Sequence, residues 1–104
     1  MRERRVIIPL SVRLYLDEIS NHIIEISRPE HAVRYVHEMV AEINELSYLA
    51  DTLPVSHSAY IKRHHPQAKR QNIKHGTWCV IFHIDGDPVK VDRIMLSSFV
   101  TNCQ

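Results

Sequence analysis

The chain has 104 residues, 44% of them hydrophobic and 24% charged, with a formal net charge of +1 and only two glycines. That length suits one domain, residues 1–104, with a single modest core, and the composition excludes a disordered chain or one built around long flexible linkers. No run approaches the roughly 20 apolar residues of a membrane span, and the apolar stretch after the charged first residues is too short for a signal peptide. Cys79 and Cys103, one inside a strand and one in the tail, offer no disulfide framework, so a reducing, cytoplasmic setting is expected.

Residues 5–9 (Arg-Val-Ile-Ile-Pro) are β-branched and ended by proline, which predicts a first strand. Ser11 is placed to cap the helix that follows, where Val12, Leu16, Ile19, Ile23 and Ile26 share one face. Ser27 is the candidate cap of a second helix, with Pro29 in its first turn and Glu30 at the positive end of its dipole. Its stripe is Ala32, Val36, Met39, Ile43 and Leu46, widened by Val33, Val40 and Leu49, and Asp51 and Pro54 end it. Two helices joined so tightly form an antiparallel hairpin. Its exposed side is expected to carry Arg13, Asp17, Glu25, Arg34, Glu38 and Glu42, with Tyr15, Tyr35 and Tyr48 partly buried.

Residues 52–69 lack a period and contain Pro54 and Pro66, so they predict a long loop with one helical turn around 58–63. Residues 70–73 predict a short strand, and Lys74-His75-Gly76-Thr77 a turn. The apolar run at 78–84 suits a central strand buried on both faces, with Trp78, Val80, Phe82 and Ile84 turned toward the helices. Asp85-Gly86-Asp87-Pro88 turns the chain into a partner strand at 89–96. The tail, 97–104, either folds back on the sheet or awaits a partner, and Phe99 and Val100 are exposed if it does neither. The fold class is therefore α+β: an N-terminal strand, an antiparallel helical hairpin, then a three-stranded antiparallel sheet.

Charge is unevenly spread. Residues 10–51 carry three arginines against eight acids, whereas 52–84 contain no acid, five lysines and arginines (Lys62, Arg63, Lys69, Arg70, Lys74) and five histidines. Such a block is either a solvated face or a surface for an anionic partner, nucleic acid or acidic polypeptide. Lys62, Arg63, His64, His65, Lys69 and Arg70 are its candidate anion-binding or partner-binding residues. His75 and Cys79 are four residues apart, on the order of 13 Å in an extended strand, too far to share a metal. His22, His31 and His37 lie on separate helical turns without a ligand set, so no metal and no cofactor is expected.

The order of elements resembles the RelE/ParE superfamily, the toxins of bacterial type II toxin–antitoxin modules, on its ParE-like, plasmid-stabilisation side. The resemblance spans about residues 4–96 and rests on Pro-Glu-His-Ala-Val-Arg-Tyr-Val at 29–36, the glycine, aromatic and aliphatic strand with its acidic-glycine turn at 76–87, and Val91, Arg93 and Ile94 at 89–96. It implies a small cytoplasmic toxin, neutralised in a hetero-oligomer by a cognate antitoxin, with DNA gyrase as its target. The alternative it implies is a RelE-like, ribosome-dependent mRNA endoribonuclease, with Lys74, His75 and Arg93 as catalytic residues and Lys62 and Arg63 binding phosphate. This sequence departs from that pattern near its end, where Leu96, Ser97, Ser98 and Phe99 supply no group that titrates near pH 7. His64, His65 or His75 is then the replacement acid or base.

Overall fold

The computed structural model describes residues 3–102; Met1, Arg2, Cys103 and Gln104 lie outside them, and with them the second cysteine and the end of the tail. Strand β1 (Val6–Ile7) leads into helices α1 (Leu10–Ile26) and α2 (Pro29–Asn44). A short α3 (Leu46–Leu49), a 3-10 turn (Ala50–Thr52) and α4 (Ala59–Lys62) follow, then β2 (Lys69–Ile73), β3 (Trp78–Ile84), β4 (Val89–Leu96) and α5 (Ser97–Asn102).

The expected three-stranded antiparallel sheet is one mixed sheet of four strands in the order β1-β4-β3-β2. β1 runs parallel to β4, with Val6 opposite Val89 and Ile7 opposite Lys90. It is shorter than residues 5–9 because the helix begins at once. The carbonyl of Pro9, not the Ser11 side chain, receives the first helical amides, those of Val12 and Arg13 at 3.1 Å. Likewise Arg28, not Ser27, stands at the cap position of α2, and no side chain caps it; the Ser27 hydroxyl is 2.8 Å from His31 Nδ1 instead. α2 stops at Asn44 rather than running to Asp51, and the chain continues as separate helical pieces.

The hairpin lies on one sheet face. Val12, Leu16, Ile19, Met39, Ile43 and Leu46 pack there against Val80, Phe82, Val89, Val91 and Ile94, each large side chain contributing about 1.5–3 kcal/mol by leaving water. The apolar stripe runs further than the sheet does. Ile26 is 71% exposed and Val33 63%, so neither joins the core expected of them. The hairpin tip runs past Trp78 at the start of β3, where a cleft of about 570 Å³ is bounded by Tyr15, Ile19, Ile23, Tyr35 and Trp78.

The opposite face is also covered. Ile61 of α4, Ala68 of the loop and Val100 of α5 close over Cys79, Ile81 and Met95. The tail thus folds back as far as Val100, while Phe99 remains 55% exposed. The exposed end of the stripe has a measurable consequence. Ile43→Ala should cost about 2–5 kcal/mol in a denaturant melt, whereas Ile26→Ala should stay within about 0.5 kcal/mol of the parent.

Candidate functional site

The expected catalytic residues do not come together. Lys74 and His75 sit in the β2–β3 turn, both with left-handed backbone (φ 51° and 56°) ahead of Gly76 (φ 87°). Residues other than glycine, asparagine, aspartate and histidine rarely adopt that conformation, so Lys74 in particular has to be held in it. Glu42, expected on the solvent side, instead turns inward and accepts the Lys74 backbone N–H at 3.1 and 3.3 Å. Lys74 Nζ reaches Glu38 at 3.2 Å and lies 4.5 Å from the centre of the Tyr35 ring. Tyr35 in turn accepts the Trp78 indole N–H at 2.9 Å. Lys74 is therefore occupied in fastening the turn to α2. His75 is exposed at its tip, so it lies in a turn rather than on a strand face shared with Cys79.

Arg93 lies elsewhere, exposed on β4 beside a hollow that it shares with Ser11, Val12 and Tyr15 of α1. Around it the β3–β4 register shifts, with Ile81 opposite Arg93 but Phe82 opposite Val91, so Asp92 is an extra residue on β4. A bulge of this kind re-aims a side chain. Here it brings Asp92 Oδ2 to 2.9 Å from His83 Nδ1, with the side chains only 18% and 11% exposed. The His65 ring stacks on His83 at 3.8 Å with an interplanar angle of 4°.

The partners fix where the protons sit. His83 Nδ1 faces a carboxylate, so it donates and leaves Nε2 as the basic nitrogen. His65 Nδ1 accepts the Gln67 backbone N–H at 3.0 Å, so its own proton is on Nε2. The stacked rings thus present one acceptor and one donor. His64 packs edge-on to Tyr60 (6.2 Å, 72°); burial, with Arg93 and Arg63 nearby, pushes it below the usual histidine range, against the pull of Asp92. The Arg63 guanidinium lies 5.8 Å from the Tyr60 ring centre.

Of the six expected anion-binding residues, Lys62, Arg63, His64 and His65 lie together on α4 and the loop after it. Arg70 is apart from them, on β2 opposite Ile81, where it lines a hollow with Ser56, His57, Ser58 and Ala59 and hydrogen-bonds Asn72 at 3.2 Å. Lys69 does not. Its Nζ crosses to the hairpin side and donates to the Ala50 carbonyl at 2.8 Å. Among the described residues, no three or more His, Cys, Asp or Glu side chains are placed to hold a metal ion, and no helix is long and apolar enough to cross a membrane. Cys79 is a buried free thiol whose pKa burial raises.

No family model and no curated protein matches the sequence. Among solved structures, a chain of the chromosomal ParDE TA system from P. aeruginosa matches with a TM-score of 0.76 at 18% identity, covering 90% of this chain and 96% of that one. This is a ParE-like fold. Identity that low carries the backbone path and not the side-chain roles, so the cluster on the ParE-like sheet is assigned from its own geometry.

Sequence reading missed His83 and Asp92, because an apolar run hid the histidine and a bulge has no pattern of its own. The alternation of Ile81 and His83 onto one strand face was the available signal. Long-range proton–nitrogen NMR at pH 7.5 should show His83 protonated at Nδ1 and His65 at Nε2. Asp92→Asn should abolish the fixed His83 state and leave that of His65.

Proposed function

We propose that this chain is the toxin of a type II toxin–antitoxin module, cytoplasmic and ParE-like in action. It arrests growth by binding DNA gyrase and is neutralised by a cognate antitoxin in a hetero-oligomer. The observation that carries this reading is the backbone shared with a chain of the ParDE TA system over nearly the whole of both chains. The positions of the expected ribonuclease residues add support: Lys74 is held by Glu38 and Glu42 at the β2–β3 turn, and Arg93 stands on β4 beside Ser11, Val12 and Tyr15 of α1. Residues divided in this way lend less support to a single phosphate site. The rim of Lys62, Arg63, His64 and His65 suits an acidic segment of the antitoxin.

A second reading, mRNA endoribonuclease, is favoured by one observation, the His65–His83–Asp92 cluster. In that reading His83 Nε2 removes the 2′-hydroxyl proton as O2′ attacks phosphorus and the P–O5′ bond breaks, and O5′ takes its proton from His65 in the imidazolium form, with Nδ1 released from the Gln67 N–H. Arg93 and Arg63 offset the charge on the phosphoryl oxygens.

Pulse labelling separates the two. In the first minutes after induction without antitoxin, the gyrase reading expects thymidine incorporation to fall while methionine incorporation holds. Early loss of methionine incorporation, relieved at least about a hundredfold by Asp92→Asn or His65→Ala, would move the function to RNA cleavage.

A further inference from the structure

The imidazole stack also joins two parts of the fold. His83 belongs to β3, whereas His65 lies in the segment 53–68 that crosses the second sheet face and carries α4. We propose that the His65–His83 stack is an acid-released latch, which holds this segment on the sheet at neutral pH and loosens it when the imidazoles take up protons.

The geometry sets the sign. As built, His65 spends its Nδ1 lone pair on the Gln67 N–H. Protonation at that atom ends the bond and turns an N–H toward an N–H, so the loop loses a tie within two residues of the stack. Protonation of His83 at Nε2 leaves its bond to Asp92 in place. Two charged rings would then lie face to face at 3.8 Å, an arrangement that like charges oppose.

Two acids nearby favour the charged rings and oppose this effect, so the tie lost between His65 and Gln67 sets its sign. Asp92 is directed at His83. Asp85, at the β3–β4 turn, is held below the usual carboxylate range first by its hydrogen bond to Lys90 and only last by His83 and His65. Lys90, opposite His83 across the strands, is 2.8 Å from Asp85. His64 and Arg63 stand on the loop and Arg93 on β4. His64 works in the same direction: its folded pKa is lowered, so its contribution is complete above the unfolded value of about 6.5 and is lost as pH falls below it.

What the latch covers is apolar. Ile61 and Ala68, both fully buried, come off Cys79, Ile81 and Met95 when the segment lifts. Acid would thus expose an apolar strip beneath a rim that has gained positive charge. The inference does not depend on whether the target is gyrase or RNA.

Hydrogen exchange with mass spectrometry on the full chain, expressed as protection factors so that the intrinsic pH dependence is removed, tests it. In the parent protein, protection across residues 60–69 should fall about tenfold between pH 7.5 and pH 5.0, while that of β3 and β4 holds. His65→Phe keeps a flat ring on His83 but cannot titrate, so its protection at 60–69 should be the same at both pH values. His65→Ala should be loosened at both. Equal protection of the parent at the two pH values would overturn the latch. So would an undiminished acid response in His65→Phe, or a parallel loss in β3 showing that the whole fold opens.

Discussion

The structure depends on one strand having no face that tolerates water. From Cys79 to His83 every residue of β3 is buried, so each side of the sheet has to find a cover. The helical hairpin covers Val80 and Phe82. The other cover is assembled from less regular parts, namely α4, the loop around Ala68 and α5. A sheet only four strands wide therefore supports two apolar clusters, and the chain has almost no purely connecting segment. The long stretch between α3 and β2 is a lid over apolar surface, which is why it holds Ile61 and Ala68 among its polar residues.

Long-range polar contacts tie the covers to the strands. Arg4 donates from Nε and Nη2 to Asp51 at 2.9–3.2 Å and from Nη1 to the carbonyls of Gly86 and Asp87 at 3.2 and 2.7 Å. One side chain thereby joins the N-terminal segment, the end of the helical region and the β3–β4 turn. Glu42 and Glu38 do the same at the β2–β3 turn, where two non-glycine residues hold positive φ. The negative charge of the hairpin and the positive charge of residues 52–84 are thus partly matched within the molecule. The matching is incomplete around His64, where Arg63 and Arg93 stand nearby.

Legibility in the sequence followed periodicity. The bounds of β3 and β4 coincide with those read from the apolar runs, and the helical stripe placed Val12, Leu16, Ile19, Met39 and Ile43 in the core. Pattern alone could not say where the sheet ends beneath the hairpin, so Ile26 and Val33 looked like core. Nor could it say that β1 joins parallel to β4, because a two-residue strand has no register signal of its own. The site was legible as a basic, histidine-rich segment and not as a cluster. The bulge at Asp92, which lets an aspartate reach a histidine on the next strand, is a product of pairing geometry. Lys74 and Lys69 showed the converse: a charge in a basic block can be consumed by a distant acid or carbonyl.

Two-sided burial of β3 is the central claim, and Ile81 is the residue that tests it, since it faces away from the hairpin. Chemical denaturation of Ile81→Ala beside Val80→Ala compares the two faces within one strand. The account expects Ile81→Ala to cost about 2–5 kcal/mol, as a buried isoleucine should, and at least as much as Val80→Ala. A loss below about 0.5 kcal/mol, typical of a solvated position, would mean that the second face is open and would contradict the account.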